Sequence, residues 1–167
     1  MDTQATEPLS DTEFDFLAFL DGRVRAWGIF EDRFGTLKRR FSVDLEGQWE
    51  GDALSVVEVL RYEDGEIEHR NWRLERSGRG TFRGTSPDVV GMARGFAAER
   101  RARMNYKLKL KVGEGRHIVV DLDDRFYAIA GGRVLNRARV SKWGIHIGDV
   151  AIVFERSAAP GTERYAA

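Results

Sequence analysis

No cysteine occurs in this 167-residue chain, which removes disulfides, thiolate chemistry and Cys-ligated metal from consideration. No run of about 18 apolar residues is present either, so nothing reads as a membrane-spanning helix. Net charge is missing too. Lys+Arg and Asp+Glu are both 27, so any electrostatic partner must be met by a local patch and not by a global field. Proline is scarce, at 3 residues, against 18 glycines. The glycine-rich segments fit neither the G-x-G-x-x-G nor the P-loop pattern. His69, His117 and His146 have no ligand spacing between them, and no serine stands in a G-x-S-x-G setting. The opening MDTQATEPLS has no basic or apolar stretch of the kind a signal peptide needs. The chain as given therefore reads as cytoplasmic, with a periplasmic or membrane-anchored location as the alternative if a leader has been removed.

What is present is a succession of short apolar runs cut by turns. In the stretch from Asp121 to Arg156, the runs FYAIA, RVLNRARV and DVAIVF are separated by Gly-Gly and by Trp-Gly-Ile-His-Ile-Gly. Short runs rich in β-branched and aromatic residues, divided by glycine, read as consecutive antiparallel strands. The same design extends back to Arg23, with turn signals such as EDG, RSGRG and GEG recurring at roughly ten-residue intervals. Phe41, Val43 and Leu45 alternate with Ser42 and Asp44; Met104, Tyr106, Leu108 and Leu110 alternate with Lys107, Lys109 and Lys111. Such alternation gives each strand one buried and one wet face. Glycines inside strand patterns (Gly28, Gly91, Gly95, Gly144, Gly148) mark bulges or bends where a sheet curves.

The expected fold is therefore all-β: a single lipocalin-like antiparallel barrel of about ten strands spanning residues 13–157. Residues 1–12 read as a disordered lead and 158–167 as a flexible tail. Ser10-Asp11-Thr12-Glu13 reads as a helix start, and Phe14, Phe16, Leu17, Phe19 and Leu20 after it form a helical turn that plugs one barrel end.

Polar residues on inward strand faces are the candidate site. A three-residue loop at Glu63-Asp64-Gly65 pairs Tyr62 with Glu66, sets Glu58 opposite Arg70 and Val56 opposite Trp72. A two-residue turn would instead set Val57 against Trp72. In the first register, Glu58 and Arg70 read either as a salt bridge that specifies register or as a polar anchor for a ligand head group. Trp72, Tyr106, Asn136 and Arg137 complete the expected ligand-binding set. Asp121, Asp123 and Asp124 lack the glycine and distal glutamate of a calcium loop and read better as an Asp-held turn, so no metal and no cofactor are expected. The lysines of the cationic stretch from Arg94 to Lys111 have no aromatics interleaved on their own face, which disfavours nucleic acid and leaves peripheral contact with an anionic membrane surface open. Trp27 falls outside under strict alternation, unless a bulge at Gly28 reverses the strand.

Several stretches together resemble a proteobacterial family of lipocalin-like proteins without an established activity, many of them lipoproteins. They are Phe19-Leu20-Asp21-Gly22, Arg25 to Gly35, Arg40-Phe41-Ser42-Val43, Tyr62-Glu63-Asp64-Gly65, Arg70-Asn71-Trp72, Asp88 to Gly95, Asp123-Asp124, Asn136-Arg137 and Lys142 to Gly148. The resemblance implies a calycin-type barrel and, by fold analogy, a small apolar or lipid-like ligand. Where relatives carry a lipid-modified cysteine after a leader, this chain has neither. The expected function is non-enzymatic binding or carriage of such a ligand. The alternatives are an accessory protein or cofactor-free enzyme acting on lipids, with Glu58 as the one candidate carboxylate, or a ligand-free interaction module. The oligomeric state is left open.

Overall fold

Inward and outward side chains alternate without interruption through most of the chain, and the sheet they build closes on itself. The structure, a computed structural model, describes residues 14–157. The expectations for 1–12 and 158–167, and the Ser10–Glu13 helix start, lie outside the described residues. Ten strands follow one short helix, α1 (Phe16–Leu20): β1 (Gly22–Asp32), β2 (Leu37–Glu50), β3 (Ala53–Tyr62), β4 (Ile67–Gly78), β5 (Thr81–Thr85), β6 (Val89–Ala98), β7 (Arg101–Lys111), β8 (His117–Ile129), β9 (Arg133–Lys142) and β10 (Ile145–Arg156). Each pairs antiparallel with its sequence neighbours, and β1 pairs with β10, closing a barrel that leaves no free edge. No helix among the described residues is long and apolar enough to cross a membrane.

The β3–β4 hairpin adopts the three-residue register. The Tyr62 N–H donates to the Glu66 carbonyl at 3.0 Å, Val56 faces Trp72, and Glu58 faces Arg70. Trp27 stays outside, 47% exposed; the irregularity in β1 falls at Phe30/Glu31 and not at Gly28. One expectation is overturned. Asp121–Arg125 is no turn, because the two runs on either side of it form the single strand β8. The acidic residues are accommodated inside that strand by cross-strand partners. Arg103 makes two hydrogen bonds to Asp123 at 2.7 and 2.8 Å, and Lys107 reaches Asp121 at 2.6 Å. These pairs also break up the basic stretch on the outer face of β7.

Helix α1 closes the barrel at the end where β1 begins. Its N-cap is Asp15, whose carboxylate accepts from Ala18 N–H at 3.1 Å and is gripped by Arg76 at 2.9 and 3.1 Å. Arg156 donates to the carbonyls of Ala18 and Asp21, satisfying the C-terminal end. Phe16 reaches up between Phe82 and Phe126, with ring centroids 5.3 and 4.4 Å away. Burial of Phe16, Leu17, Phe19 and Leu20 stabilises the plug by about 1.5–3 kcal/mol per side chain. Gly47 of β2 is needed where the helix end lies down, since any Cβ there would overlap the Leu20 carbonyl.

Candidate ligand-binding site

Above that aromatic floor the barrel interior is hollow. A cavity of about 430 Å³ runs from Phe16 and Leu20 at the plugged end to Lys111 and Val112 at the other. That volume is in the range of small-molecule sites. Most of the wall is apolar, as inward alternation dictates, with Phe30, Phe41, Leu60, Leu110, Ile118 and Ile147 in the upper part.

A belt of polar side chains crosses the cavity near the middle of the strands: Glu58, Arg70, Tyr106, Asp124 and Asn136. Glu58 and Arg70 are cross-strand neighbours, yet no nitrogen of Arg70 lies within 4 Å of the Glu58 carboxylate. The salt bridge that the register allows is not formed. Instead, the carboxylates near Arg70 are Glu68 at 3.7 Å and Asp88 at 3.8 Å, both beyond hydrogen-bond reach. Its Nε is buried with no hydrogen-bond partner. Burial works against the charge of Arg70, but Glu58, Tyr106 and Glu68 more than offset it, so the guanidinium remains a cation.

Opposite stands a carboxylate cluster. Burial pushes Glu58 up to about 7, with Arg70 opposing and Asp124 adding to the shift. Burial likewise raises Asp124 to about 6, against hydrogen bonds from Tyr106 and Asn136. The Asn136 amide donates to Asp124 at 3.4 Å and to the Arg125 carbonyl at 3.3 Å. Tyr106, whose hydroxyl is also held well above its ordinary range by burial, packs edge-on against Trp72 at 5.3 Å. Nearer the open end, Arg39 lies over the Tyr62 ring at 3.4 Å and donates to Asp64 and Glu66 at 2.8 and 2.9 Å. Its Nε, too, is buried without a partner.

Five of the six residues expected at the site are thus brought together around one cavity. The sixth, Arg137, is not: it is exposed on the outer face of β9, because its immediate neighbour Asn136 points in. Asp124 was missed as a cavity residue. Its signal was its phase with Leu122 and Phe126, hidden once β8 was read as two strands. Arg39 and Tyr62 were missed because a mouth-end arginine on an inward position looks like an exposed terminus of its strand. No group of three or more His, Cys, Asp or Glu side chains among the described residues could hold a metal ion.

The fold resembles that of the S-type phycobiliprotein lyase from Guillardia theta, with a TM-score of 0.67, 6% identity, and coverage of 91% of this chain and 99% of that one. At that identity the likeness establishes the barrel alone. Comparison with proteins of curated function finds no match. The sequence profile of the family described as "Protein of unknown function (DUF3833)" matches residues 3–156, nearly the whole barrel with its plug, and the chain belongs to that family.

Proposed function

We propose that the barrel binds one small amphipathic molecule, holding an acidic or strongly hydrogen-bond-accepting group at Arg70 and its apolar body among the upper-chamber side chains. The observation that carries this reading is the Arg70 guanidinium, largely buried in the wall of a hollow, mostly apolar cavity with no carboxylate within hydrogen-bond reach. A buried donor without a partner costs about 1–3 kcal/mol, and a bound acceptor group removes that cost. Glu58 leaves the site adjustable: with its proton on, it is a donor to the same ligand group; ionised, it competes for Arg70. The apolar side chains above supply the larger share of binding through burial. A barrel of matching fold in a phycobiliprotein lyase accords with a small-molecule role and does not specify the molecule. Titrating a fluorescent long-chain acid into wild-type protein and Arg70→Ala tests the reading. Binding that is saturable, one-to-one and weakened by the substitution is expected; no binding, or equal binding, refutes it.

A second reading has its own observation. A carboxyl titrating near neutrality inside a cavity suits general acid–base work, and Glu58 meets that condition. Incubation with the bound species, followed by mass analysis, separates the two: an unchanged mass supports carriage, and a product absent in Glu58→Gln supports catalysis.

A further inference from the structure

The open end of the barrel is built differently from its plugged end. Three of the loops there lie side by side, since the strand order runs β2-β1-β10-β9-β8-β7. These are the β1–β2 loop over 33–36, the β9–β10 turn at Trp143-Gly144 and the β7–β8 loop over 112–116. Each presents apolar side chains outward. Phe34 is 79% exposed and Trp143 85%, with Ile145, Leu37 and Val112 also exposed beside them. Isolated exposed apolar residues are ordinary, whereas several on adjacent loop tips around a cavity mouth make a patch.

Two further features point to what the patch meets. First, each aromatic tip carries its own cation: the Arg33 guanidinium sits 4.7 Å from the Phe34 ring and the Lys142 ammonium 4.5 Å from Trp143. Lys111 and Arg116 add positive charge nearby, with Glu114 the one carboxylate between them. The neighbouring Asp32 is already taken by the Phe34 and Thr36 amides and by Lys38, and Asp149 by His146. Second, Trp143 is held at φ +51° and Gly144 at +76°. A two-residue hairpin turn with both φ positive favours Asn-Gly, and a tryptophan at its first position is strained. The strained position of this turn thus carries an exposed indole.

We propose that this rim docks on a phospholipid bilayer bearing anionic headgroups, with Phe34 and Trp143 seated at the interface and the flanking cations among the phosphates. Tryptophan, with an apolar body and a polar N–H, settles at that depth, phenylalanine adds apolar area beneath it, and cations draw them there. Lys111 and Val112 belong both to the rim and to the cavity wall, so docking opens the cavity toward the lipid. The Glu63-Asp64-Gly65-Glu66 loop across the mouth is acidic and would be turned away, which tilts the barrel. That the docked bilayer supplies the cavity's ligand rests on the function proposed above; the docking itself does not.

The test is co-sedimentation of the full chain with vesicles of phosphatidylcholine mixed with phosphatidylglycerol, against phosphatidylcholine alone. Wild type should bind the anionic vesicles more tightly, and Lys142→Ala should weaken binding about fivefold. Trp143→Asn, which suits the turn, should weaken it about tenfold, while Arg101→Ala at the plugged end of β7 should leave it unchanged. Wild-type protein that ignores vesicles, or variants that bind as wild type does, would overturn the docking. Self-association abolished by Trp143→Asn, with no vesicle binding, would likewise overturn it and assign the rim to a protein contact. Binding of a soluble long-chain acid by a protein that ignores vesicles sinks only the docking; vesicle binding by a protein whose cavity takes no acid sinks only the ligand reading.

Discussion

Replacing Glu58 by glutamine should stabilise the protein at alkaline pH and do little in mild acid. The sign follows from the raised pKa. In the unfolded chain the carboxyl ionises near 4.5, but in the cavity it holds its proton to about 7, chiefly through burial. Between those values the folded state binds more protons than the unfolded one, so stability falls as pH rises through the window and stays reduced above it. With about 1.4 kcal/mol per pKa unit, the ionised side chain costs on the order of 3 kcal/mol at pH 8 and below about 1 kcal/mol at pH 5. Glutamine has nearly the shape of the protonated acid and never ionises. The difference between variant and wild type should therefore grow by about 2.5 kcal/mol from pH 5 to pH 8, roughly 5–10 °C in Tm for a chain of this size. Thermal melts of ligand-free protein at closely spaced pH values measure it. Parallel melting curves for the two proteins, or a glutamine variant that gains in acid, would refute the burial argument. A protein that keeps a costly buried carboxyl keeps it for something other than stability.

The same site yields a second expectation, on affinity. Arg70→Ala should weaken a long-chain acid roughly 10–150-fold, the range of one charge-assisted hydrogen bond, and leave the matching alcohol much less affected, as competition titrations would show. Phe16→Ala should cost about 3–5 kcal/mol by emptying the aromatic floor between Phe82 and Phe126, read as an earlier denaturant midpoint at unchanged slope. Trp143→Asn should raise stability by about 1 kcal/mol, because asparagine tolerates the left-handed backbone at this turn; a lower Tm would show that the exposed indole packs in a way the structure does not display.

Much of this barrel was legible in the sequence, and for a local reason. The Glu63-Asp64-Gly65 loop needs a left-handed residue, Gly65 supplies it at φ +91°, and that one turn fixes the facing of Glu58 and Arg70 across two strands. The period-two pattern then decides which residues share the interior. Where the pattern was cut by charge, the reading failed. Asp123 and Asp124 look like turn residues because their partners, Arg103 on one face and Tyr106 with Asn136 on the other, are distant in sequence. Arg137 was grouped with Asn136 by adjacency, although adjacency in a strand means opposite faces. The missing Glu58–Arg70 contact lies beyond any register argument. Register sets which backbones are neighbours, and side-chain torsions then decide whether charges touch or leave a gap for a ligand.

The most direct check of the central claim is native mass spectrometry of protein purified from its own cells, with denaturing extraction of whatever is bound. A single amphipathic species at one per chain, lost in Arg70→Ala while the fold is retained, is the predicted result. A bare protein mass that gains nothing after incubation with fatty acids and phospholipids would contradict it.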